Sequence, residues 1–147
     1  MKFWDASALI LLCVAQEGSQ RAMAWHQEDP DVAAWWLAPV ECASALHRLA
    51  RAGTLTREAE GRAAGLLTAL SSAWHEVLPT EAVRQRALRA LRVHPLRAAD
   101  ATQLAAALVW AEDNPTGATF LTGDKRLAEA ARREGFAVLD PQAGHGE

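Results

Sequence analysis

Short apolar runs of strand length alternate with longer helical segments along the chain. The runs that we predict as strands are Lys2–Trp4, Val32–Leu37, Trp74–Leu78, Ala118–Thr122 and Phe136–Leu139. The segments that we predict as helices are Ala6–Ala15, Ser19–His26, Pro39–Ala52, Thr56–Ala73, Thr80–Val93, Ala98–Ala111 and Lys125–Glu134. Strands that alternate with helices build a parallel sheet, because each helix returns the chain to the edge where the next strand begins. The pattern therefore predicts an α/β fold with a central parallel sheet of about four to five short strands, flanked by helices on both faces.

The composition agrees with a helix-rich α/β domain. The chain holds 33 Ala and 19 Leu, but only one Ile and eight Val, and β-branched residues are the ones that suit a pleated sheet. This balance excludes an all-β fold. Half of the residues are apolar and 22% are charged, which excludes a disordered chain. At 147 residues we expect a single domain over 1–147, with residues 142–147 as a disordered tail.

Charge, cysteines and the N-terminal segment restrict the cellular setting. The net charge of −3 does not favour a protein that coats nucleic acid through bulk positive charge. Cys13 and Cys42 lie in apolar surroundings and match neither a disulfide framework nor a zinc site. The N-terminal segment lacks the hydrophobic run of a signal peptide, and Leu9–Val14 is too short to cross a bilayer. We expect a cytoplasmic protein without membrane association.

Four acidic residues follow predicted strands or begin predicted helices. Asp5 and Asp124 come just after strands, whereas Glu41 and Asp100 lie in the first turns of helices. A single acid at such a position also has a structural explanation, as a helix cap or as a favourable charge beside the helix dipole. If the four meet at one sheet edge, however, their charges repel and a divalent cation relieves the repulsion. Oxygen ligands without His or Cys at ligand spacing favour Mg²⁺ or Mn²⁺, which activates water and stabilises charge on phosphoryl groups.

Four segments that contain these acids resemble the motifs of PIN-domain ribonucleases. They occur in the order of that family and span essentially the whole chain: Phe3–Leu9, Pro39–Leu46, Leu96–Ala105 and Phe120–Leu127, the last followed by Ala130–Ala131 and Gly135–Phe136. Each motif is weak alone, and the specificity lies in the four in order. Two features depart from the family pattern, namely Trp4 before the first acid and the pair Trp35–Trp36. Neither departure affects an acidic residue.

The resemblance implies a single PIN-like domain with an acidic catalytic pocket. Its catalytic residues would be Asp5, Glu41, Asp100 and Asp124, with Asp5 and Asp100 as the principal ligands of Mg²⁺, for which Mn²⁺ can substitute. Ser7 and Thr122 would orient carboxylates through their hydroxyls, or else serve only as a helix cap and a strand-end turn. One metal ion or two are both compatible with the motifs.

The implied function is that of a Mg²⁺-dependent ribonuclease, the toxin of a VapBC-type toxin–antitoxin pair. The resemblance implies a structured RNA such as tRNA as the substrate and a VapB-like antitoxin as the partner. Two alternatives remain open: a catalytically silent PIN-like scaffold, and a PIN nuclease in RNA processing without an antitoxin. Receiver domains and Asp-nucleophile phosphatases fit less well, because Asp5 has no adjacent acid and Ser7 stands where a second Asp is required. A dinucleotide-binding domain is excluded because no Gly-x-Gly-x-x-Gly motif follows a strand.

Other residues suggest contacts with RNA or with proteins. A basic stretch without acids holds five arginines that are candidate RNA contacts: Arg84, Arg86, Arg89, Arg92 and Arg97. The alternative is a solvated helix face with ion pairs to Glu76 or Glu81. The five histidines show no ligand spacing, so we expect surface or packing roles for them. Six Trp and the Ala-rich helices favour a homodimer, and the first three helices would frame a groove for an antitoxin segment.

Overall fold

The structure is a computed structural model that describes residues 1–144. Its sheet has five parallel strands in the order β3-β2-β1-β4-β5. They are β1 (Lys2–Trp4), β2 (Val32–Trp35), β3 (His75–Val77), β4 (Thr119–Leu121) and β5 (Ala137–Leu139). The α/β class and the parallel sheet predicted from the sequence are therefore confirmed.

Seven α-helices connect these strands within the described residues. They are α1 (Ala6–Leu9), α2 (Ser19–Glu28), α3 (Ala38–Arg51), α4 (Arg57–Ala73), α5 (Glu81–Val93), α6 (Ala98–Trp110) and α7 (Lys125–Glu134). Capping explains several of the starts: the hydroxyls of Thr56 and Thr80 accept hydrogen bonds from the backbone N–H groups of Ala59 and Val83. Gly135 ends α7 with a φ of 109°, a left-handed conformation that glycine adopts without strain.

The core has two halves, one on each face of the sheet. Phe3 and Trp4 are neighbours in β1 and point to opposite faces, because successive side chains alternate along a strand. Phe3 packs in the half covered by α5, α6 and α7, and Trp4 packs in the half covered by α1 to α4. Helix α6 buries an Ala run (Ala105–Ala107), and these small side chains allow close packing against the sheet.

Two predicted elements end earlier than the sequence pattern suggests. The strand predicted over Val32–Leu37 stops at Trp35, and a turn at Trp36 leads into α3. Trp35 is buried, whereas Trp36 is half exposed. The helix predicted over Ala6–Ala15 is α1 followed by a 3₁₀ turn at Ile10–Leu12. The apolar run alone does not reveal this break, because the buried face continues across it.

The C-terminal segment returns to the start of α2. Pro141 is buried, and an added Cβ on Gly18 would lie 3.0 Å from the Pro141 carbonyl oxygen. Residues 142–144 of the predicted tail form an exposed turn, while residues 145–147, including His145, lie outside the described residues. None of the helices described over 1–144 is long and apolar enough to span a membrane.

Candidate active site

Two adjacent strands bring Asp5 and Thr122 together at the carboxyl edge of the sheet. Asp5 directly follows β1 and Thr122 directly follows β4, and these strands are paired. Both side chains are buried, with 4% of Asp5 and none of Thr122 exposed. The Asp5 backbone N–H donates to the Leu121 carbonyl, so the pairing continues into the loop. This register explains why residues far apart in sequence meet here.

The Asp5 carboxylate accepts three hydrogen bonds. Its Oδ1 accepts from the Ala8 backbone N–H at 3.1 Å and from the Ser7 hydroxyl at 2.6 Å. Its Oδ2 accepts from the Thr122 hydroxyl at 2.9 Å. Asp5 is therefore the N-cap of α1, and Ser7, considered as a possible cap, contacts the carboxylate instead. The capping and site interpretations of Asp5 are thus compatible, because the cap occupies only one oxygen.

The two hydroxyls also connect the loops that follow β1 and β4. Ser7 Oγ accepts a hydrogen bond from the Gly123 N–H at 2.9 Å, and Thr122 Oγ1 accepts one from the Asp124 N–H at 3.0 Å. Each hydroxyl then has its proton available for Asp5. The hydrogen bonds from Ser7 and Thr122 hold the Asp5 carboxylate in one orientation.

Burial makes the ionised form of Asp5 unfavourable. Removal from water raises the pKa of Asp5 to about 7, although the hydrogen bonds from Ser7, Thr122 and Ala8 act in the opposite direction. The negative charge of Glu41 raises it further. A carboxylate whose charge is opposed by both burial and a neighbouring acid is a favourable ligand for a cation.

Glu41 lies in the first turn of α3 and contacts α6. Its Oε2 accepts a hydrogen bond from Gln103 Nε2 at 3.1 Å. Burial raises the pKa of Glu41, the hydrogen bond from Gln103 lowers it, and the charge of Asp100 raises it. The charge of Glu41 therefore interacts with the charges of both Asp5 and Asp100.

Asp100 and Asp124 are the other two acids whose charges interact in this part of the structure. Burial raises the pKa of Asp100, as does the charge of Asp124, whereas Arg97 and Arg126 lower it. Asp124 caps α7, since its Oδ1 accepts from the Leu127 N–H at 2.9 Å. The row of interacting charges thus runs from Asp5 through Glu41 and Asp100 to Asp124. We call these four residues the acidic site.

The acidic site fits a magnesium ion in donor chemistry and in charge. Over residues 1–144, no three acidic, His or Cys side chains are grouped closely enough to hold a metal ion among them. Mg²⁺, however, keeps several water ligands and commonly takes only one or two carboxylates from the protein, together with substrate phosphate. The buried Asp5 and the half-buried Glu41 and Asp100 have raised pKa values and offer only oxygen donors, which suits that mode of binding.

Three of the five arginines predicted as RNA contacts form ion pairs. Arg84 pairs with Glu81 at 2.8 Å, Arg86 pairs with Asp113, and Arg89 pairs with Glu134 at 2.7 Å. Arg92 and Arg97 have no ion pair among the described residues, and both are exposed. The ion pairs agree with the solvated-face alternative for the first three, and contact with RNA stays a prediction.

Gln103 is a site residue that the sequence did not single out. It is 1% exposed, and its Oε1 is buried without a hydrogen-bond partner. The available signal was its place three residues after Asp100, as the one amide in the apolar stretch Ala101–Leu108. A polar side chain on such a face indicates a buried polar partner, which here is Glu41.

A cleft opens beside the acidic site between the 3₁₀ turn and α3. It has a volume of about 610 Å³, and its lining includes Ser7, Glu41, Arg48 and Gly123. Its position agrees in part with the groove predicted for a partner segment, because α1 and α3 form its walls, whereas α2 does not line it.

Comparison with known proteins finds similarity in three-dimensional structure. No protein-family model matches the chain, and no curated protein matches it in sequence. PAE2754 from Pyrobaculum aerophilum is 23% identical with a TM-score of 0.64, over 93% of this chain and 87% of that one. FitAcB from Neisseria gonorrhoeae is 18% identical with a TM-score of 0.65, over 97% of this chain and 99% of that one. At these identities the likeness shows a shared fold.

Proposed function

From the PIN-like fold that this chain shares with both solved structures, we propose that it is a Mg²⁺-dependent ribonuclease and the toxin of a toxin–antitoxin pair. The observation that carries the proposal is Asp5, a buried carboxylate with a pKa raised to about 7 and a fixed orientation. Its charge is opposed by burial and by Glu41, so a bound cation would stabilise it. The four motifs, in family order, support the same function.

Each residue of the acidic site would have its own role in the reaction. Asp5 and Asp100 would hold Mg²⁺, which, when bound, supplies a Lewis acid for the phosphodiester and lowers the pKa of water. Ser7 and Thr122 keep Asp5 oriented through their hydroxyls. Glu41 is anchored by Gln103 at one oxygen, and its other oxygen is available to accept a proton from the attacking water. Asp124 contributes negative charge beside Asp100.

A cleavage assay with matched variants tests this proposal. Purified protein is incubated with end-labelled tRNA and unstructured RNA in Mg²⁺, in Mn²⁺ and in EDTA, and products are resolved on denaturing gels. We expect cleavage with either metal and none in EDTA. Asp5→Asn and Asp100→Asn should each lose activity by at least about a hundredfold, whereas Asp31→Asn, an exposed Asp outside the site, should retain it.

Two results would contradict the proposal. Cleavage that persists in EDTA would exclude the metal-dependent mechanism. A folded, metal-loaded protein that cleaves none of the RNAs would favour the silent scaffold instead. Cleavage without an inhibitory partner encoded nearby would support the role in RNA processing.

An antitoxin partner is proposed for the cleft beside the acidic site. A basic side chain of the partner placed near Glu41 or Asp5 would neutralise the carboxylates and displace the metal. Inhibition should then weaken as Mg²⁺ is raised. Inhibition that does not change with Mg²⁺ would indicate simple steric blockage of the RNA site.

A homodimer is proposed from the exposed apolar side chains. Large apolar residues that are at least 43% exposed include Trp36, Val40, Leu78, Leu88 and Leu91, and such surfaces commonly form interfaces. Sedimentation at roughly tens of micromolar, a range that detects weak interfaces, should show a dimer. A strictly monomeric protein under these conditions would refute it.

A further inference from the structure

Basic side chains line one wall of a groove between α7 and the α5–α6 connection. Lys125, Arg126 and Arg133 belong to α7, whose Glu129 lines the same wall, while His94 and Pro95 form the opposite wall. The volume is about 230 Å³. We call this feature the α7 groove. It is separate from the cleft beside α3 and from the five arginines predicted as RNA contacts.

Helix stability does not explain the two cations at the start of α7. Lys125 and Arg126 are exposed and have no ion pair within residues 1–144. They occupy the first turn of the helix, where a positive charge is unfavourable because the helix dipole is positive at that end. Arg133, farther along the same wall, is held by Glu129 at 3.0 Å. The free cations at the helix start favour a negatively charged ligand.

His94 gives independent support for a polar ligand in the groove. Its side chain is 2% exposed, and its Nε2 lies 2.8 Å from Glu134 Oε1. Its Nδ1 is buried with no hydrogen-bond partner, which is uncommon and costly for a buried polar atom. An unpartnered buried polar atom in a side chain that lines the groove is suited to a polar ligand.

The groove begins next to the acidic site. Lys125 directly follows Asp124 in sequence. Asp100, whose pKa is raised by burial and by Asp124, feels the positive charge of Arg126 in the opposite direction. From Arg126 to Arg133 the helix rises about 10 Å, which is long enough for more than one phosphate of a nucleic-acid strand.

We infer that the α7 groove binds the sugar–phosphate backbone of the RNA strand beside the bond that is cleaved. Lys125 and Arg126 each contact one of the two phosphates nearest the acidic site, and Arg133 and His94 form the far end of the track. This inference rests on the proposed ribonuclease function, and it assigns the substrate path on one side of the acidic site.

Salt-dependent RNA binding tests the inference directly. A fluorescent single-stranded RNA is titrated by anisotropy in an Asp5→Asn background, which prevents cleavage, between about 50 and 200 mM salt. The slope of log K against log salt is negative, and the Lys125→Ala/Arg126→Ala variant should make it less steep by about 1.4. Each phosphate contact on a single strand contributes about 0.7 to the steepness. That change corresponds to about 25-fold weaker binding near 0.1 M salt. Arg132→Ala removes a charge from the same helix outside the groove and should leave the slope unchanged.

The outcomes separate this inference from the proposed function. If the wild-type protein cleaves RNA but the double variant binds with the slope of the Arg132→Ala control, the groove assignment is wrong and the ribonuclease stands. If the wild type neither binds nor cleaves RNA, both are wrong. A loss of binding without a lower salt slope would also contradict the assignment, because phosphate contacts must release counterions.

Discussion

Asp5→Asn is expected to stabilise the metal-free protein, and to do so more at alkaline than at acid pH. Burial raises the pKa of Asp5 from its ordinary 3.8 to about 7. Between these values the folded protein keeps a proton that the unfolded chain has lost, so stability falls as pH rises. The free energy of unfolding that is lost because Asp5 ionises less readily in the folded protein is about 4 kcal/mol near pH 8. Near pH 5 the loss is between about 1 and 2 kcal/mol. An amide at this position removes that pH-dependent cost.

The hydrogen bonds around Asp5 set how much of this gain is realised. The amide oxygen can still accept from Ser7 and Ala8, as Oδ1 does now. The amide N–H₂ replaces Oδ2, so the Thr122 hydroxyl must accept from it and turn its proton toward Ser7 Oγ, 3.3 Å away. We subtract about 1 kcal/mol for this weaker network. The expected net gain near pH 8 is about 3 kcal/mol, or roughly 6–12 °C in Tm.

Thermal and urea unfolding in EDTA, near pH 8 and near pH 5, measure the effect. Asp31→Asn is the matched control, because Asp31 is exposed and its substitution should change Tm by little at either pH. The reasoning would be refuted if Asp5→Asn were destabilised by a similar amount at both pH values. Asp5 would then act mainly through its cap hydrogen bonds, and its buried charge would not matter.

Three further predictions follow from the site and the backbone. Gln103→Met removes the hydrogen bond that lowers the pKa of Glu41, so the acid limb of the pH–activity profile should move to higher pH. The free energy of unfolding should change by no more than about 1 kcal/mol, because the buried unpaired Oε1 is also removed. Gly18→Ala should lower the free energy of unfolding in urea by about 2 kcal/mol or more, since φ is +91° and Pro141 is in close contact. Gly53→Ala, with a φ of +79° and open space around it, should lower it by about 1 kcal/mol. Equal costs would contradict the packing argument. Mg²⁺ at about a hundred times its Kd should stabilise the wild type by about 2.7 kcal/mol in thermal unfolding, and a protein indifferent to Mg²⁺ would not bind it.

The sequence predicts the order of the elements well because each signal is local. Strand-length runs and helical spacing mark the alternation, and the capping residues Thr56 and Thr80 mark two of the helix starts. The errors occur where local patterns are ambiguous. The apolar run at Trp36 continues beyond the strand, and the break after α1 lies within a face that stays buried. Apolar character reports burial, and burial does not distinguish a strand from a turn at its end.

Within the candidate site, the sequence identifies the types of residue but not the contacts among them. Asp5 and Asp124 are visible as acids after strands that could be caps or site residues, and the hydrogen bonds from Ala8 and Leu127 show that the cap role of each is compatible with a place in the site. Gln103 is missed because its partner Glu41 lies 62 residues away. The ion pair of Arg86 with Asp113 is likewise invisible, because it joins two different elements.

By itself, then, the sequence determines the alternation of strands and helices, and with it the placing of acids at the carboxyl ends of the strands, since these depend on residue order and period. Only the tertiary structure decides which strands are neighbours, and therefore that Thr122, which lies 117 residues away, donates to Asp5 together with the nearby Ser7. It also decides the pKa of Asp5, because desolvation depends on atoms brought from β1, β4 and the surrounding helices. Charge is a property of the residue, but the free energy of that charge is a property of its surroundings.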